Sequence, residues 1–193
     1  MGLVSTIRYN LVNLATFSGR ETRAQFWPYA AFVFVLSIAG MMAVMLPEMS
    51  ASMERMQKFA TEHPDMATVQ QGPGSYSISI QGHHPELMPD MGNMMGMMAI
   101  VFAVIIALFA AAVVRRLHDR GKSGAWGLLP LPFITFASIM MPKVFAQNTP
   151  DMGLFFAIFI NNFIYIGTLI FLIVLLAGAG TQGENRFGPE VAV

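Results

Sequence analysis

The sequence predicts an all-α polytopic membrane protein, with four transmembrane helices and an N-terminal amphipathic interfacial helix. Three observations lead there. Of 193 residues, 55% are hydrophobic and 11% charged, against about 25% charged in ordinary soluble domains. Four long runs carry no charge. The basic residues gather on alternate connections between those runs.

A helix crosses a bilayer with about 20 mostly apolar residues. The runs are 26–46, 92–114, 124–141 and 153–178. A soluble fold of this length would have to bury four uncharged helices with almost no amphipathic ones to cover them. The third run is shortest and holds Pro130 and Pro132, which are expected to kink it; its rival reading is a re-entrant or interfacial segment. The first apolar run starts too far in for a cleavable signal. A single membrane domain over 1–193 is expected, with 47–91 as an extracytoplasmic insertion.

Lysine and arginine set orientation. Arg8, Arg20 and Arg23 precede the first run. Arg115, Arg116, Arg120 and Lys122 separate the second from the third, and Arg186 follows the fourth. The remaining connections hold only Arg55, Lys58 and Lys143. Both termini are therefore expected in the cytoplasm.

Before the first span, Val4, Ile7, Leu11 and Leu14 recur at helical spacing. Such a helix fits the headgroup layer or an ordinary docked position, and periodicity does not separate the two. Met1-Gly2-Leu3-Val4-Ser5-Thr6 also matches the loose myristoylation pattern, which is weak by itself. Ser18 and Glu21 have capping-box spacing, so a helix is expected to start there and run into the membrane. Arg20, Arg23 and the interfacial aromatic Trp27 would then share a face, the arginines meeting lipid phosphates or nearby acids.

The second basic cluster runs from Arg115 to Trp126, a second interfacial aromatic. Gly121 and Gly124 allow a tight reversal. Arg115 and Asp119, four apart, can pair if the helix extends that far. His118-Asp119 invites comparison with a catalytic or metal-binding pair, but neighbours on a helix point about 100° apart. A capped, lipid-anchored turn is the simpler reading. After the last run, 178–189 form a glycine-rich turn. A phosphate loop there would need a following helix N-terminus and usually a lysine.

Three pieces carry a family likeness. They are Phe17-Ser18-Gly19-Arg20 with Arg23 and Phe26-Trp27; Arg115-Arg116-Leu117-His118-Asp119 with Gly121, Ser123-Gly124 and Trp126; and Gly180 with Gly183 and Asn185-Arg186-Phe187-Gly188-Pro189. In this order they resemble the domain of unknown function 805 family. The resemblance implies a small bacterial inner-membrane protein and no reaction, substrate or cofactor. The long 47–91 connection departs from the family pattern.

In that insertion, Met49, Met53, Met56 and Ala60 suggest a short helix after Pro47, ended by His63-Pro64. Tyr76, Ile78 and Ile80 alternate with serines and suggest a strand. Met66, His63, His83, His84, Met88, Met91, Met94, Met95, Met97 and Met98 are dense in ligands that suit Cu(I). Methionine as adaptable apolar filler explains them with fewer assumptions, so no metal site is expected.

The spans hold no ionisable residue at mid-depth, unlike most ion-coupled carriers. Asn161 and Asn162 are the polar residues of the fourth span and are expected to bond another helix. Gly167, Ala103, Ala107, Ala110 and Ala111 are expected to allow close helix approach.

Function is expected to be non-enzymatic and cofactor-free: a structural or envelope-associated membrane protein. Its cytoplasmic rim of Arg20, Arg23, Arg115, Arg116, Asp119 and Arg186 is expected to form one charged network that binds anionic lipid or a partner, either another membrane protein or a second copy. A small transporter or channel is the alternative, and copper binding the second. Zero net charge argues against nucleic acid. Without cysteine, disulfides and thiolate chemistry are absent.

Overall fold

The computed structural model describes residues 2–82, 84–144 and 151–191. The myristoylation pattern's Met1, the candidate ligand His83 and the C-terminal Val193 lie outside the described residues. Helix α1 is Leu3–Val12 and α2 is Arg23–Glu62. A hairpin follows, with β1 Ala67–Gly72 and β2 Ser75–Ile80. Helix α3 is Met91–Asp119, α4 Leu131–Val144 and α5 Met152–Ala177. Among the described residues, four helical stretches are long and apolar enough to cross a membrane: Arg23–Glu62, Pro85–Asp119, Gly124–Val144 and Met152–Ala177. Between them they leave large side chains such as Phe34, Ile100, Ile139 and Phe163 exposed. Lipid is the solvent that suits such faces, and the chain is an all-α polytopic membrane protein.

The chain divides into two units, Met1–Val33 with Ile106–Val193, and Phe34–Ile105. In the first, the buried apolar residues are Phe26, Tyr29, Ala30, Val33, Ala111, Ala112, Leu117, Val144, Leu172 and Leu176. Tyr29 donates its hydroxyl to the Leu108 carbonyl at 2.9 Å. Helix α3 ends in a Schellman motif: Lys122 N–H reaches Leu117 O at 2.9 Å and Gly121 N–H reaches His118 O at 2.9 Å. Gly121 takes the left-handed conformation this needs, at φ +65°. The chain then returns so closely that a β-carbon on Gly124 would lie 2.7 Å from a Val114 methyl.

The third span opens as a 3₁₀ turn over Gly124–Leu128 before α4 begins. Pro130 and Pro132 therefore do not kink a helix interior. They fall just before α4 and in its first turn, where missing N–H groups cost nothing. Pro142 is the proline inside α4. Helix α4 packs along α5, where Asn161 donates its amide to Phe133 O at 2.9 Å. Asn162 is exposed. Gly167 is no site of close approach either, since nothing lies within 4 Å of where its β-carbon would be. Of the small α3 residues, Ala111 is buried, while Ala103 and Ala107 are exposed.

In the second unit, no separate helix starts after Pro47. Helix α2 continues through it to Glu62, with 40 residues in all, and stops before His63-Pro64 as expected. The alternation at Tyr76, Ile78 and Ile80 does form a strand, β2, but its partner β1 is a polar run with no comparable pattern. The two pair antiparallel from Ala67↔Ile80 to Gly72↔Ser75. Pro73-Gly74 makes the turn, with Gly74 at φ +79°, the residue pair a type II turn favours. Ser52 donates to Leu87 O at 2.6 Å, and the His63 and His84 rings each lie 4.6 Å from Phe59.

Candidate functional site: a buried arginine–carboxylate hub

Three arginines and two carboxylates are buried together in the first unit: Arg20, Arg115, Arg116, Glu21 and Asp119. The segment between α1 and α2 supplies Arg20 and Glu21. The last turn of α3 supplies the rest. The glycine-rich turn after α5 closes over them. Burying charge is costly unless every charge is paired and hydrogen-bonded, and here the pairing is extensive.

Arg20 sits 3.0 Å from Asp119 and bonds the carbonyls of Thr181 (2.5 Å), Gly183 (2.6 Å) and Gly188 (3.4 Å). Arg115 meets Glu21 at 3.0 Å through Nε, Asn10 Oδ1 at 2.6 Å, and the carbonyls of Asn13 (3.0 Å) and Thr16 (2.6 Å). Arg116 reaches Asp119, Leu176 O at 2.9 Å, Glu21 O at 3.3 Å and Gly178 O. Arg120, half-buried, takes Leu175 O at 2.8 Å. Two guanidiniums thus cap carbonyls that α5 leaves orphaned at its C-terminus, where the helix dipole also favours positive charge.

Glu21 is where burial and pairing oppose each other. Removal from water pushes its carboxyl above the ordinary range, while the Asn10 amide, at 2.9 Å, and Arg115 pull it back. Asn10 donates to Glu21 and accepts from Arg115, so α1 is fastened to the hub by its polar side.

At Gly178 and Gly180 the closing turn has no room for a side chain. A β-carbon at Gly180 would overlap the Asp119 carboxylate, and one at Gly178 the Arg120 guanidinium. Asn185 and Gly188 exchange backbone hydrogen bonds at 3.1 and 2.9 Å, and Gly183 and Gly188 adopt positive φ. Asn185 also donates to His118 O at 3.0 Å. Thr181 N–H reaches Asp119 O at 2.8 Å.

The hub corrects several sequence expectations. The capping box at Ser18 and Glu21 does not form: Ser18 is exposed, and α2 starts four residues later than its spacing implies. There Gln25 accepts from the Thr22 N–H at 3.0 Å, so Thr22-x-x-Gln25 fills that role. Arg115 pairs with Glu21, and Asp119 with Arg20 and Arg116, because α3 places Arg116 and Asp119 one turn apart at i, i+3. Arg20 is buried, so it shares no exposed face with Arg23 and Trp27, which are both exposed. Of the six residues expected in one network, Arg23 and Arg186 stand outside the buried set. Arg186 is exposed, lies 4.7 Å over the Phe187 ring and contacts Gly121 O at 3.4 Å. His118 stacks on the other residue of that edge, with its ring 3.8 Å from Phe187, and its Nδ1 meets Gly19 O at 3.2 Å. Trp126 is exposed beside Phe171, and Pro189 is exposed at the end of the turn.

Sequence reading missed Asn10, Thr181 and the ionic role of Glu21. One signal was present for Glu21: it is the sole acid in the first 33 residues. In the other unit, His84 has both ring nitrogens engaged, at 3.0 Å from Glu86 and 3.1 Å from Gln81 O. Among the described residues, no three His, Asp or Glu side chains gather as metal ligands would.

The buried arginines and carboxylates of the hub all lie within the stretch that one family matches. The family described as "Protein of unknown function (DUF805)" matches residues 14–189. The chain belongs to this family. The chain is also similar to two curated proteins that carry the name "Uncharacterized protein YiiR", from Escherichia coli K12 and O157:H7; each is 32% identical over 103 residues. That stretch covers 51% of this chain and 64% of either relative. No solved structure matches the chain.

Proposed function

We propose that this DUF805 protein is a non-enzymatic structural protein of the bacterial inner membrane, with both termini cytoplasmic. Its hub holds the helix ends together, and the basic rim around the hub holds lipid or a partner. The observation that carries this reading is how the guanidiniums are used. Every nitrogen of Arg20, Arg115 and Arg116 faces a carboxylate, an amide oxygen or a main-chain carbonyl of the same chain. Such a site fixes backbone and leaves its charged groups little capacity for a substrate. His118 and Asp119 also have separate partners, Gly19 O and the arginines, as an architectural pair would. The alternative of a small transporter is weakened because Asn161 is bonded to the α4 backbone.

The cysteine-free sequence makes the test direct. Thr68→Cys and Gln182→Cys are both at exposed positions. An impermeant thiol label applied to intact cells should mark the first and spare the second; the reverse pattern overturns the orientation. Purified protein in vesicles loaded with a pH dye should leave them tight to protons and potassium. A leak that scales with protein would favour the channel.

A further inference from the structure

We propose that α1 is a headgroup-layer helix that binds anionic phospholipid, fastened to the hub by its polar stripe and bathed in lipid along its apolar one. The inference rests on the reading that the rim faces an anionic cytoplasmic leaflet. Helix α1 docks the opposite way round from a helix on a water-soluble protein. Its buried residues are Thr6 and Asn10, both polar and 1% exposed, while Val4 is 79% and Val12 76% exposed. Leu3 and Leu11 are also exposed. At about 100° per residue, Val4, Ile7 and Leu11 make a stripe beside the docked one, and Arg8 borders it on the far side.

Water would disfavour that arrangement, and lipid accounts for it in two ways. The first is continuity. Helix α2 begins after a ten-residue connection from α1, tied to the same hub, with Trp27 exposed in its first turns and Phe34 and Val35 exposed beyond them. An apolar stripe beside a bilayer entry is covered by the same solvent as the span. The second is charge. Among residues 2–33 the one acid, Glu21, is buried. The exposed charges there are Arg8 and Arg23, both positive. The buried hub adds an imbalance of its own, with three arginines against two carboxylates. A phospholipid with a net negative headgroup fits both the stripe and the charge; a zwitterionic lipid satisfies the stripe alone.

The experiment places an environment-sensitive fluorophore at Val4→Cys, with Phe34→Cys and Gln182→Cys as references, in vesicles of brominated phosphatidylcholine with and without an equal part of phosphatidylglycerol. Bromine should quench Val4 and Phe34 and leave Gln182 bright. Titrating phosphatidylglycerol into detergent-purified protein should raise the unfolding temperature. Arg8→Gln with Arg23→Gln should weaken the apparent affinity roughly fivefold per arginine. Both arginines are exposed, so the fold is not at stake. If Phe34 is quenched and Val4 is not, α1 lies in water or under a protein partner and this inference fails, while the membrane reading stands. If neither is quenched, the membrane reading itself fails. Quenching at Val4 with equal response to both lipids, and no effect of the arginine variants, overturns the anionic part.

Discussion

Glu21 carries opposed demands that no exposed residue would face. Its carboxylate neutralises Arg115, yet its burial favours the protonated form. Removing one partner of a buried ion pair leaves a bare charge in a dry site, at a cost of about 3–5 kcal/mol. Glu21→Ala should lose about that much in reversible unfolding from mixed micelles, and Glu21→Gln less, because its amide oxygen still accepts from Asn10. The pH dependence has a defined sign. A carboxyl whose folded pKa is raised holds its proton longer in the native state than in the unfolded one. Its contribution is therefore greatest below the ordinary carboxylate range and falls as pH rises towards the folded pKa. Unfolding curves of the wild type should show that decline across mildly acidic pH relative to Glu21→Gln. A difference that stays flat would contradict the placement of the carboxyl. From sequence, Glu21 read as a capping residue because its spacing from Ser18 was right. Local spacing cannot reveal a partner 94 residues away.

At the scale of elements, the spans were legible because lipid demands long uncharged helices whatever they pack against. Helices α3 and α5 lie within a few residues of their apolar runs. What was hidden came from tertiary contact. Strand β1, Ala67–Gly72, is polar and gains its structure from β2 and the Pro-Gly turn. The break expected after Pro47 did not occur: α2 runs through both Pro28 and Pro47, and membrane helices tolerate proline where the freed backbone groups find other partners. Glycines divide in the same way. Gly167→Ala should stabilise α5 by up to about 1 kcal/mol, because nothing stands near the new methyl and helix propensity improves. Gly180→Ala should lower the unfolding temperature clearly, since the methyl would displace the Asp119 carboxylate that Arg20 and Arg116 hold. If the two substitutions behaved alike in one thermal assay, the closing turn would not be packed as described. At the other end of α5, Asp151 accepts from Leu154 N–H at 3.0 Å. Asp151→Ala should cost about 1 kcal/mol as a lost N-cap, measured by the same unfolding.

Across the whole molecule, three short motifs that look unrelated along the chain turn out to be one object. Arg20 comes from the first, Arg115, Arg116 and Asp119 from the second, and the carbonyls of Thr181, Gly183 and Gly188 from the third. That convergence explains why the pieces were individually weak as sequence signals: each supplies a fraction of one coordination shell. It also explains why Arg23 and Arg186, alike in sequence, fall outside: no buried carboxylate remains for them. The most direct test is a double-mutant cycle between the first motif and the second, with Arg20→Gln, Asp119→Asn and the pair, each unfolded reversibly in mixed micelles. A shared buried network predicts that the double variant loses less stability than the two single losses summed, by about 1–3 kcal/mol. Losses that add to within about 0.5 kcal/mol would mean that Arg20 and Asp119 act independently, and the hub would not exist as described.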